Sequence, residues 1–365
     1  MEKSKKIGTI SAIMLTLSIA VSYITSSLPR TFINETKSAT ILNIVYITFI
    51  VLFIILLFCN LFKKFPGLDI LDISKYLGGN ILKDIVGGFF IIYFTVSSSI
   101  MLRNFCDSLV VVYYPLTSYV FVILMFIFSI ALVNRLSFNA TLNVSSIVFP
   151  LVLISAILLF FGNIDNFSFR RIYPILGDGF YNTFILGLKN IGAFGGICYL
   201  YFLPPMLKQP EKFKKIAVIS VIATGLFILL CVGTLLFMFS FFLTTDEIMP
   251  LFSAARYIEF GTFFQRFESV FLLIWIISFC CFLSITCKFS THIFNKMFNL
   301  SDIKPLSIIF IILIFGLSLI PQNYAIANFL ETNVYRYLRI AVGFVLGITI
   351  LIFANFKKRK VGGKN

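Results

Sequence analysis

The chain is short of charge and of chemically reactive groups. Only 12% of its 365 residues are Asp, Glu, Lys or Arg, against 59% hydrophobic, and it has one histidine and one tryptophan. A soluble domain of this length has too little interior to hide so much apolar surface, which excludes a soluble globular fold. The seven cysteines (Cys59, Cys106, Cys198, Cys231, Cys280, Cys281 and Cys287) show no metal-type or redox spacing and read as small apolar side chains. His292 has neither acidic nor cysteine neighbours in sequence and reads as a solvated loop residue. The sequence holds no glycine-rich nucleotide loop, no HExxH and no nucleophile elbow. Enzyme, metal and cofactor chemistry therefore have no foothold, and none is expected.

What the chain has in abundance is apolar sequence, with a mean hydropathy of +1.01. Windows of ~19 residues, long enough to cross ~30 Å of hydrocarbon, give ten candidate spans. They cover roughly 7–28, 41–62, 85–106, 117–134, 143–162, 180–207, 215–243, 267–290, 305–321 and 337–356. The first run is longer than a signal-peptide core and no small-residue cleavage site precedes Pro29, so it reads as a retained span. The net charge of +15 is a topology signal. With the N-terminus inside and ten spans, about two thirds of the 30 basic residues fall on inside connections. Arg336 and Arg339 fall outside on that count. No basic stripe with interleaved aromatics remains for nucleic acid, and the surplus charge suits anionic lipid. Both termini are expected in the cytosol, the C-terminal one as a basic tail, 357–365.

Two of the ten runs are damaged. Span 1 gathers Ser18, Ser22, Thr25, Ser26 and Ser27 toward its outer half before Pro29. Span 6 carries Gly187, Lys189, Asn190, Gly192, Gly195 and Gly196 near its middle and closes on Pro204-Pro205. Ten spans divide five and five, so spans 1 and 6 open two halves of inverted topology, about 7–162 and 180–356, within one transmembrane domain. Unwound backbone at depth is tolerated where it lines a cavity or meets a ligand. Glycines that only let helices approach, and serines bonded to their own helix, are the competing explanation.

Lys189 costs roughly 2.5–3.5 kcal/mol at the bilayer centre and calls for an interior partner. No acidic residue lies in the middle of a span, so carbonyls, water or a ligand are its expected partners. Its role is to pair with a substrate carboxylate, to stand in for a coupling cation, or to form a structural ion pair. Span 3 adds Ser97, Ser98 and Ser99 as cavity lining or helix contacts, and an Arg103–Asp107 pair at i, i+4. The candidate ligand-binding residues are Ser18, Ser22, Thr25, Ser97, Ser98, Lys189, Gly192, Gly195 and Gly196.

Two connections hold more than a link. The stretch 65–88 reads as a short interfacial helix ended by Gly78-Gly79, and 244–269 as a short helix pair covering the outer mouth.

The segments FPGLDILDISKYLGG, RIYPILGDGFYNTFILG, LPPML and QRFESVFLLIW, in that order, resemble the spore germination receptor B-subunit family, a branch of the amino acid–polyamine–organocation transporter superfamily. The likeness runs over about residues 7–355. It implies an all-α, ten-helix LeuT-type fold, with spans 1, 3, 6 and 8 around an amino-acid-sized pocket. It also implies residence in the spore inner membrane beside A and C subunits, a small nutrient ligand, often an amino acid, and a part in triggering germination. An amino-acid permease coupled to protons or cations, and a passive water or ion conduit, are the alternatives on the same fold. The chain departs from the family at Ser22-Tyr23, where a glycine is usual, and at Gly195-Gly196-Ile197, where an acidic residue often follows.

Overall fold

The computed structural model describes residues 6–25, 28–240, 243–244, 247–258, 267–300 and 304–362, leaving aside the side chains of Thr25, Lys304 and 359–362. Its elements are helical, with one isolated β-bridge between Ile7 and Leu207. Among the described residues, six stretches are long and apolar enough to cross a membrane: Leu28–Phe62, Ile70–Tyr113, Phe138–Gly162, Pro210–Met238, Phe267–Phe298 and Tyr324–Lys358. Three shorter apolar helices stand among them, Thr9–Ile24, Tyr119–Asn134 and Pro305–Ser318. Exposed Phe49, Phe53, Phe128, Ile147, Phe161, Ile308 and Phe353 form an outer coat that only lipid suits. This is an integral membrane protein.

We label α1 (Thr9–Thr25), α2 (Leu28–Thr36), α3 (Thr40–Phe62), α4 (Ile70–Tyr113), α5 (Tyr119–Asn134), α6 (Phe138–Gly162), α7 (Ile197–Leu200) and α8 (Phe213–Met238). Helix α1 lies at the centre, against α6, α8 and the long helix Phe267–Phe298. The last helix, from Tyr324 to Gly362, contains two π turns, Leu330–Tyr335 and Ala341–Leu346. It begins well before the expected 337–356 run, and this extension is the chief correction to the span map. Hydropathy windows exclude it because Glu331 and Arg336 dilute the signal.

At one end of the bundle, Ile7 pairs with Met206 and Lys208, Lys288 donates to the Leu136 carbonyl, and Lys357 donates to the carbonyls of Tyr76 and Leu77. The expected interfacial helix is here, and it opens on a capping box. Asp69 accepts from the amides of Leu71 and Asp72, and Asp72 reaches back to the Asp69 amide. Gly78 and Gly79 end it, Gly79 at φ +72°, a conformation that side-chain-bearing residues avoid. Lys296 bridges Asp69 and Asp72 at 2.6 Å each. Burial pushes the Asp69 carboxyl up from its ordinary range, and Lys296 pulls it back.

At the other end, Arg30 meets Tyr324, Ser38 meets the Pro174 carbonyl, and Asn163 meets the Ala254 carbonyl. The Pro250–Arg256 helix covers a small apolar crevice walled by Ile24, Phe105, Phe271 and Trp275. It is the described part of the expected outer helix pair, since 245–246 and 259–266 lie outside the described residues. His292 sits on the Phe267–Phe298 helix, partly buried, rather than in a loop.

Candidate functional site at the interrupted helix

The apolar run 180–207 is no continuous helix. It passes through a π turn (Tyr181–Ile185), a 3-10 stretch (Leu186–Phe194), a turn at Gly195-Gly196 and the single helical turn α7. Where one helical ladder gives way to another, backbone groups inside a membrane need outside partners. Side chains from three helices supply them. Arg339 donates to the Gly192 carbonyl at 2.9 Å, and the Tyr93 hydroxyl donates to the Gly195 carbonyl at 3.4 Å. Asn43 donates to the Thr183 carbonyl at 2.7 Å and accepts from Asn190 at 3.1 Å.

The glycines make that approach possible. A Cβ on Gly195 would lie 2.5 Å from Cδ of Arg339, and one on Gly187 would fall on the Asn43 amide. Gly192 faces Arg336, and Gly196 faces the Thr16 carbonyl of α1. The space that the missing side chains leave is therefore filled by two arginines, an asparagine and the backbone of α1.

The charges converge here too. Glu35, on α2, takes Lys189 at 3.0 Å and Arg336 at 2.7 Å on the same oxygen, Oε1. This overturns the expectation that Lys189 lacks a carboxylate partner. Glu35 escaped notice because α2 reads as a polar loop after span 1, whereas it folds in against the interrupted segment. The Lys189 side chain is one third exposed. Arg336 and Arg339, assigned to an outer connection from sequence, are instead buried on the last helix. Arg339 stacks over Tyr23 at 4.3 Å and Tyr335 at 5.0 Å. Such a cage contributes ~2 kcal/mol when desolvated, which offsets part of the cost of burying the cation.

The expected binding residues separate into groups. Gly192, Gly195 and Ser97 lie around Tyr23, Tyr93, Tyr335 and Arg339, where Ser97 adjoins the Tyr23 and Tyr335 hydroxyls. Lys189 belongs with Glu35 and Arg336. Ser18 bonds to the Met14 carbonyl and to the Ser145 carbonyl of α6. Ser22 and Ser98 bond to carbonyls one turn back, those of Ser18 and Phe94. Gly196 packs on α1. The Thr25 side chain lies outside the described residues, as do Ser26 and Ser27. The Arg103–Asp107 pair forms as expected, at 2.7 Å. Sequence reasoning missed Glu35, Glu331, Arg336, Arg339 and the tyrosines. The available signal was the Glu331, Tyr335, Arg339 spacing, a helical i, i+4, i+8 face carrying both charge signs.

Beside this group is a polar cavity of about 30 Å³, measured to the centre of a water-sized sphere, room for two waters or so. Thr31 and Phe32 of α2, Asn190 and Gly192 of the interrupted segment, and Glu331, Arg336 and Arg339 of the last helix line it. Glu331 accepts from Asn104 of α4.

Among the described residues the chain is a helical integral membrane protein whose interrupted apolar run is held by buried charges, an arrangement that suits a permease-like protein. The sequence model for the family described as spore germination protein matches residues 6–327, and the chain belongs to that family. It is similar to spore germination protein YndE of Bacillus subtilis (strain 168), 23% identical over 363 residues and 98% of each chain. It is also similar to spore germination protein B2 of the same organism, 21% identical over 252 residues and 68% of each chain. The resemblance carried by the four sequence motifs is thereby shown at the level of the family.

Proposed function

We propose that the chain is the membrane subunit of a spore nutrient-germinant receptor, binding a small nutrient, an amino acid, in a transporter-like pocket and helping to trigger germination. Its setting is the spore inner membrane, with A and C subunits as partners and both termini cytosolic. The frame is a ten-span LeuT-type arrangement in two inverted halves, 7–162 and 180–356. Contacts that gather alternate connections at the two ends of the bundle support that frame. The observation that carries the functional reading is the interrupted segment 186–196, whose carbonyls meet side chains of other helices beside a polar cavity.

A ligand acts by binding two states of this segment with different affinity, which shifts their populations and the surface offered to partners. The fixed cation Arg339 at Gly192 favours sensing over coupled transport, because it already satisfies the carbonyl that a mobile ion would meet. The test is made in spores lacking this chain, supplied with single nutrients. Dipicolinate release to at least one amino acid should be lost and restored by the intact gene. Unchanged release to every nutrient contradicts the receptor role.

A further inference from the structure

The candidate serines on α1 and α4 are buried, and most of their hydroxyls are bonded to their own helices. The polar cavity beside Arg339 has a different character. Its wall carries Glu331, Arg336 and Arg339, exposed by only 4%, 8% and 4%. With Lys189 and Glu35 the cluster holds three cations and two carboxylates, a surplus of one positive charge. Glu35 Oε2 and Arg339 Nε are buried without a hydrogen-bond partner among the described residues. A buried unpaired donor is costly, and the free Nε of Arg339 calls for one more acceptor than the described residues supply.

We propose that this cavity is the ligand site, and that it takes the carboxylate of a small amino acid on Arg336 and Arg339 in exchange for Glu35. The inference rests on the receptor reading above and names the site and its ligand class. Three features fit a zwitterion. The arginines offer donors in a planar fork that matches a carboxylate. Glu331, in the same cavity wall, is the negative partner for an ammonium and supplies the acid that the sequence lacks after Gly195-Gly196. Asn190 and Thr31 add neutral polar groups.

At 30 Å³ the cavity has room only for water, so ligand entry and displacement of Glu35 are one event. Glu35 ties α2 to both the interrupted segment and the last helix through Lys189 and Arg336. When the ligand's carboxylate takes over Arg336, α2 is released. Binding then becomes movement of a connection that follows α1 directly, and no further element is needed to carry the signal.

The test uses the purified full chain in liposomes and binding of the twenty proteinogenic amino acids, with the matching amino-acid amides as controls. At least one amino acid should bind the native protein, and its amide at least tenfold more weakly. Arg339→Lys should weaken binding tenfold or more. Glu35→Gln, which removes the competing carboxylate from a partly exposed position, should bind the same amino acid several-fold more tightly. An amide that binds as well as its acid, or Glu35→Gln binding more weakly than the native chain, overturns the exchange and leaves nutrient sensing intact. Binding of no amino acid by the native protein overturns both the site and the receptor reading.

Discussion

Two ionic clusters, at opposite ends of the bundle, differ in how completely they are satisfied. Around Lys296 the carboxylate oxygens divide the available donors among them. Asp69 Oδ1 caps two amides, while Asp69 Oδ2 and Asp72 Oδ2 share the lysine. Around Glu35 the cations outnumber the carboxylates, and polar atoms of Glu35 and Arg339 remain without hydrogen bonds among the described residues. A satisfied network fixes one geometry, whereas an incomplete one leaves energy for a second state to recover. The first cluster is an anchor, and the second is the site proposed for the ligand.

Breaking the second cluster at its centre gives the largest effect. Arg339→Ala removes the donor to Gly192 and empties the cage of Tyr23 and Tyr335, and should cost about 3 kcal/mol in thermal or denaturant unfolding of the detergent-solubilised protein. Gly195→Ala acts on the same contact by overpacking, since its Cβ meets Arg339 at 2.5 Å, and should cost about 2 kcal/mol. A Gly195→Ala protein as stable as the native one would mean that Arg339 is free to move aside.

The anchor should respond more weakly and with pH. Lys296→Ala strands Asp69, which is buried and carries a raised pKa, and should cost about 1–2 kcal/mol at neutral pH. An acid whose folded pKa is raised loses stability as pH rises through that pKa, because the folded state resists ionisation. The deficit of Lys296→Ala should therefore shrink as unfolding is measured from pH 7 toward pH 5. A deficit that grows on acidification would show that Lys296 does not hold the Asp69 pKa down. The smallest effect belongs to Lys189→Met, at most about 1 kcal/mol, because its partner Glu35 keeps Arg336 and the lysine is one third exposed.

Legibility from sequence followed the range of the interaction. The 70–77 helix was readable because its cap and its glycine stop are written within a dozen residues. The Arg103–Asp107 pair was readable because i, i+4 neighbours meet on any helix. The break in 180–207 was readable from its glycines, yet the reason for them was not: Arg336, Arg339 and Asn43 arrive from more than a hundred residues away in the chain. Glu35 and the beginning of the last helix were missed for one shared cause. Hydropathy windows treat charges as loop markers, and here buried charges pair across helices inside the bundle. The serines on α1 and α4 looked polar in sequence, but an i−4 carbonyl takes up most of them.

On the receptor reading, a permease-like frame closed by its own arginine senses a nutrient without moving it. The most direct measurement is labelled amino-acid binding and uptake by the purified protein in sealed liposomes, with and without a proton gradient. Saturable binding with no accumulation inside the vesicles is the result predicted. Gradient-driven accumulation would contradict it and make the chain a working permease.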